Sequence, residues 1–261
     1  MKNATSVFFG LALLISLGTV FSCKKDHNPP PSNVNLKKGL LLYLPFNGSF
    51  ADSSGNNNPA TTIGGATLTY DEHGYANSAF GATGNGEKVL ITNNGSIKFD
   101  TAFTASFNFM VWDLRNQIFV GLVEHSNAHG LAFDCGLNVP GDEQFEFGAG
   151  DISNDCSKTV EQNPYNIADS TGFRVAPGSW YNVICEYHNG TITTYINGKF
   201  ISSKTGAGRK ALNCPNAQFI VGGWWQNDPQ SINGKIDEVR FYNRVLTKEE
   251  ITDLAKDFQQ N

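Results

Sequence analysis

The stretch WYNVICEYHNGTITTYINGKFISS, residues 180–203, decides the fold. Val183, Cys185 and Tyr187 alternate with Ile184, Glu186 and His188, the period of two that a pleated strand imposes on its faces. Asn189-Gly190 and Asn197-Gly198 then supply the φ > 0 pairs that two-residue type I′ turns need. Strands at 180–188, 191–196 and 199–203 therefore follow one another as antiparallel hairpins.

The same punctuation recurs along the chain. Asn-Gly pairs with Asn at 47, 85, 94 and 233 stand among short apolar runs at 40–44, 66–70, 88–92, 104–110, 118–124, 131–134, 144–148, 219–222 and 236–242. About a dozen strands so spaced predict an all-β fold, a two-sheet antiparallel jelly-roll sandwich. With 261 residues, 40% apolar and 16% charged, the chain can bury a sizeable core. A net charge of −5 and no basic run longer than a pair exclude nucleic acid as an expected partner.

The run NGKIDEVRFYN, residues 233–243, departs from strict alternation. Val239 and Phe241 share a face, but Ile236 stands three residues before Val239, so the pattern slips at Asp237, as at a β-bulge. After it, Thr247-Lys-Glu-Glu250 reads as a capping box, with Leu246 and Ile251 as hydrophobic staple and Ile251, Leu254, Ala255 and Phe258 as one apolar stripe. One short C-terminal helix is predicted there.

Residues 1–22, with Lys2 and an apolar run from Val7 to Phe21, read as a secretory signal too short to span a membrane. Val20-Phe21-Ser22-Cys23 resembles a bacterial lipobox, in which Cys23 takes the lipid; the alternative is ordinary cleavage with Cys23 a spare thiol. Residues 23–38, charged and then proline-rich, read as a flexible tether, and 39–261 as the folded domain. The CKKD start resembles surface lipoproteins of the Bacteroidetes type, which implies export and lipid anchoring to the outer membrane at the cell surface, with membrane contact only through the anchor.

Four cysteines follow, Cys135, Cys156, Cys185 and Cys214, an even number for an exported chain with three possible pairings. Cys135 with Cys156 is the expected bridge, since both sit among Gly, Asn and Asp loop residues. Cys185 shares the alternation of Val183 and Tyr187 and reads equally well as a buried free thiol.

Taken together, LYLPFNGSFADSSGNNN (42–58), YDEHGYANSAF (70–80), FTASF (103–107), the hairpin stretch and NGKIDEVRFYNRVLTKEEI (233–251) resemble the laminin-G-like, concanavalin A-like jelly-roll domains of secreted bacterial proteins. The resemblance covers about residues 39–258 and departs at Asn108, where such domains often carry Trp, and in a Cys-bearing insertion near 135–170. It implies that the first and last strands are neighbours, so the loop of Asp52 to Asn58 is expected to face Asp237. Two carboxylates brought together raise a pKa unless a cation is shared, and Ca²⁺ accepts about six to eight oxygens in flexible geometry. Asp52, Asn57 and Asp237 are therefore the expected ligands of a structural Ca²⁺; the alternative is that Asp52 makes an Asx turn and Asp237 caps amides.

Trp224-Trp225 before the polar run Gln-Asn-Asp reads as one core indole and one outward indole, with Trp225, Trp224, Asn227 and Asp228 suited to stack and hydrogen-bond a sugar; the alternative, equally open, is two partly buried core indoles. Trp112 is a second candidate of this kind. Glycoside hydrolases on this architecture need two carboxyl groups flanking a bond, usually as Glu-x-Asp-x-Glu on one strand, and no such run occurs. No catalytic residue is expected. The expected function is a non-catalytic, surface-anchored module that binds carbohydrate; the alternatives are a protein-binding adhesion or structural module with an extracellular protein ligand and, after it, a glycoside hydrolase.

Overall fold

The computed structural model describes residues 34–137, 144–150, 155–159, 167–206, 208–226 and 229–258. In chain order its strands are β1 (Leu40–Leu44), β2 (Ala60–Ile63), β3 (Thr67–Thr69), β4 (Ala79–Thr83), β5 (Lys88–Ile91), β6 (Ala102–Val111), β7 (Gln117–Glu124) and β8 (His129–Leu137). There follow β9 (Gln144–Ala149), β10 (Ile167–Arg174), β11 (Trp180–His188), β12 (Thr191–Ile196), β13 (Lys199–Thr205), β14 (Gln218–Val221), β15 (Asn233–Tyr242) and the helix α1 (Lys248–Leu254). One sheet runs β13-β12-β11-β6-β15-β4-β3, with β1 also paired to β15; the other runs β10-β9-β8-β7-β14-β5-β2. Two antiparallel sheets face each other as a jelly-roll sandwich, as the turn spacing predicts.

The hairpins of 180–203 form as read, with His188 opposite Thr191 and Ile196 opposite Lys199. Asn189 and Asn197 take φ of 49° and 51°, and Gly190 and Gly198 follow at 82° and 72°. Three strands escape the alternation rule. β2, ATTI, is short and built of Ala and β-branched residues, β4, AFGAT, has Phe80 as its one large residue, and β10, IADSTGFR, has no apolar alternation and forms by pairing with β9.

Phenylalanines fill the space between the sheets. Phe103, Phe107 and Phe109 of β6 meet Phe119, Phe133, Phe145 and Phe147 of the opposite sheet, all fully buried. Outside the core, α1 closes one face: Thr247 accepts from the Glu250 amide, Glu250 accepts from the Thr247 amide, and Leu246 and Ile251 pack with Ile184 and Tyr242. This is the capping box and staple the sequence spells.

The disulfide differs from expectation. Cys156 pairs with Cys214, Cα atoms 5.7 Å apart, and Cys135 and Cys185 are free and buried. Cys135 is an inward residue of β8, in phase with Phe133 and Leu137 and 1% exposed, so it points away from the loop that carries Cys156. Gly130, at φ +60°, makes room for the bridge, because a Cβ there would stand 2.5 Å from the Cys214 sulfur. Cys185 lies in the core as a small apolar group, and Cys23 lies outside the described residues.

Candidate functional site

The slip at Asp237 is a bulge between two pairing partners. On one edge β15 pairs with β6, Asp237 opposite Asn108 and then Arg240 opposite Ser106, so Glu238 and Val239 stand against Phe107 alone. On the other edge β4 pairs up to Ile236 and β1 pairs from Val239 onward, so the bulge falls where one partner strand hands over to the next. Glu238 takes φ +54°, a left-handed conformation costly for a residue with a Cβ. Its carboxylate accepts from Arg240 Nη2 at 2.6 Å and Tyr43 Oη at 2.9 Å, which holds the turn in place. The extra residue lets Ile236 and Val239 both enter the core, and it leaves Asp237 fully buried on the outer side of the sheet next to Asn108.

Over that position folds the loop between β3 and β4. Asp71 Oδ1 accepts from the His73 and Tyr75 amides at 2.9 and 2.8 Å, an Asx turn that brings the next side chain, Glu72, down toward Asn108. Asn108 donates through Nδ2 to Glu72 Oε1 at 3.1 Å and accepts through Oδ1 from Asn182 Nδ2 at 2.9 Å. One carboxylate oxygen each from Asp71, Glu72 and Asp237 lies within 4.8 Å of the others. Asp71 is 4% exposed, Asp237 0% and the Glu72 side chain 8%, and Glu72 Oε2 is buried with no hydrogen-bond donor. Three buried carboxylates gathered this closely repel one another, and an all-oxygen set suits a hard cation. These residues fit Ca²⁺.

Asp237 is thus where the strand slip puts it, but its companions are not the expected ones. Asp52 Oδ1 accepts from the Tyr43 and Ser54 amides and Oδ2 from the Asn58 amide and side chain, at 2.8–3.1 Å, so both oxygens are spent on its own loop and on β1. Burial raises the Asp52 carboxyl, but the amides of Asn58, Ser54 and Tyr43 outweigh it and hold it below its ordinary range. Asn57 is exposed, and its amide group donates within the same loop. Asp71 and Glu72 carried a signal, an acidic pair at the start of a Gly-containing turn, but nothing local says that this turn folds back onto β15.

Trp224 is the buried indole of the pair, as expected, but Trp225 is not the outward one. They stand beyond the end of β14, where strand alternation no longer applies, and their rings pack together with centroids 4.1 Å apart. Trp224 is 7% exposed against Leu90, Ile118, Val123 and Ile220 on the outer face of the second sheet, and half-buried Trp225 packs on the same cluster instead of standing free. Lys88 Nζ donates to the Trp225 carbonyl at 2.7 Å. Asn227 and Asp228 lie outside the described residues.

The exposed aromatic groups are elsewhere. Among the described residues the large apolar side chains that face solvent are Tyr70, Tyr75, Trp112 and Phe200. Trp112 follows β6, and Tyr70 precedes Asp71. Between them Lys235 of β15 holds its ammonium 5.8 Å from the Trp112 ring centre and donates to the Tyr70 carbonyl at 3.0 Å.

Residues 83–252 match the family Laminin_G_3, described as the Concanavalin A-like lectin/glucanases superfamily. No curated protein matches the chain. Among solved structures, the binding domain of Paraclostridial Mosquitocidal Protein 1 is similar over 86% of this chain and 53% of that one, at 20% identity and TM-score 0.65. Domain 4 of AbnA, a GH43 extracellular arabinanase from Geobacillus stearothermophilus, in complex with arabinotriose, is similar over 83% of this chain and 98% of that one, at 21% identity and TM-score 0.61. The botulinum neurotoxin serotype D ligand binding domain in complex with N-acetylneuraminic acid is similar over 85% and 52%, at 15% identity and TM-score 0.59. The chain spans about half the length of the two toxin structures, and at these identities the likeness is one of fold.

Proposed function

The chain belongs to the Concanavalin A-like lectin/glucanases superfamily, and from that membership we propose that it is a non-catalytic module that binds glycan, with a structural Ca²⁺ held by Asp71, Glu72 and Asp237. The observation that carries this reading is the burial of the carboxylate cluster. A glycosidase needs two carboxyl groups flanking a sugar bond in an open cleft, about 5–9.5 Å apart. Here Asp71 and Glu72 belong to the loop before β4, Asp237 lies buried beneath it, and one oxygen of each lies within 4.8 Å of the others, which favours a shared cation over a pair straddling a substrate. Arabinotriose and N-acetylneuraminic acid, bound in two structures of this fold, favour a glycan over a protein ligand. A glycan array probed with the purified protein is expected to show sugar-competable binding; no retained glycan in any class would remove the reading.

Ca²⁺ would neutralise the three acids and pin the loop to β15. The protein is expected to contain the metal as purified and to lose about 2.7 kcal/mol of stability on chelation when free Ca²⁺ had stood roughly 100-fold above its dissociation constant. Asp237→Asn and Glu72→Gln are expected to abolish the chelator response. Asp52→Ala is expected to destabilise the fold, by about 1–3 kcal/mol for its stranded amides, while leaving the response intact. Identical melting with and without EDTA in a sample shown to be metal-loaded would refute the structural role.

A further inference from the structure

We propose that Trp112, Tyr70 and Lys235 form the surface on which a neutral pyranose ring of the glycan stacks; this rests on the glycan-binding reading above. Trp112 is 55% exposed and Tyr70 58%, on a protein whose other rings mostly fill its core. Exposed aromatic groups grouped at one place mark an interaction site more often than single ones do. The two belong to segments far apart in the chain, and Lys235 of β15 reaches both, its ammonium 5.8 Å from the Trp112 ring centre and 3.0 Å from the Tyr70 backbone carbonyl.

The chemistry of the three groups selects the ligand. An indole face takes the C–H face of a sugar ring, and an ammonium offers directed donors to ring hydroxyls. Lys235 spends one donor on the Tyr70 carbonyl and keeps the others. Beside Lys235 in the sheet stand Met110 of β6 and Gly81 of β4, neither of them charged. The chain carries a net charge of −5, so an acidic polysaccharide meets an overall repulsion that a neutral one does not. Tyr70 is joined directly to Asp71, so the loop that carries the cation ligands also sets the position of this ring.

The test measures retention of the purified full chain in affinity gels containing arabinan, xylan, β-glucan or mannan, and in gels containing polygalacturonate or alginate. Trp112→Ala and Tyr70→Ala are each expected to weaken binding to a retained neutral polysaccharide by about three- to tenfold with the melting temperature unchanged. Trp112→Phe is expected to keep most of the affinity, and Phe200→Ala, an exposed ring on the distant β12–β13 hairpin, all of it. Binding should change by less than about twofold between roughly 0.05 and 0.5 M salt, as a contact without ligand charge requires. If the wild type binds a glycan and both alanine variants bind it equally well, this surface is wrong while the glycan reading stands. If retention is confined to the acidic polysaccharides and falls with salt, the neutral class is wrong. If the wild type is retained by none of the gels and by no glycan on the array, the underlying reading fails and the surface with it.

Discussion

Phe241→Ala is expected to lower the unfolding free energy by about 3–5 kcal/mol, the range for truncating a large aromatic in a core that cannot collapse onto the gap. Phe241 is fully buried on β15, and its ring centre lies 5.3–5.6 Å from those of Phe99, Phe103, Phe133 and Phe219. Phe133 and Phe219 belong to the opposite sheet, so removing the ring opens the contact between the layers instead of a local pocket. Phe241→Leu keeps most of the apolar volume and is expected to cost less than half as much. Chemical denaturation with an unchanged slope measures both, and a loss below about 1 kcal/mol for the alanine variant would contradict the packing described here.

Loss of the Cys156–Cys214 bridge is expected to be of similar size. It spans 58 residues, and closing a loop of that length in the unfolded chain corresponds to about 4 kcal/mol in the chain-entropy account. A Cys156→Ser, Cys214→Ser double variant should therefore unfold at much lower denaturant, with the fold's core strands otherwise intact. Cys135→Ala should lack this effect, since its thiol closes no loop, and should cost only what a small buried group contributes. Mapping of the non-reduced protein settles the pairing independently: a peptide joining Cys156 to Cys214 is expected, and one joining Cys135 to Cys156 would overturn it.

What the sequence by itself determined is what neighbouring residues enforce on one another. Two Asn-Gly turns and the alternation at 180–203 close hairpins through contacts a few residues apart, and the capping box at Thr247 is satisfied within one helical turn. Even the bulge at Asp237 was legible, because a slipped face is recorded in the order of Ile236, Val239 and Phe241. Tertiary structure alone decided which partners those positions meet. Asp237 meets Asp71 and Glu72 because β4 and not β1 lies beside its end of β15, and Asp52, equally acidic and near in the expected topology, spends its oxygens on amides. Cys135 faces inward because the pairing of β8 with β7 and β9 sets its phase, although its loop-like neighbours suggested otherwise. Trp224 and Trp225 lie past the last paired residue of β14, where period two no longer separates inside from outside, and Trp112 and Tyr70 are linked only through Lys235 of β15. Local geometry is written in local sequence, whereas convergence of side chains from distant strands depends on strand order and register, which no short segment specifies.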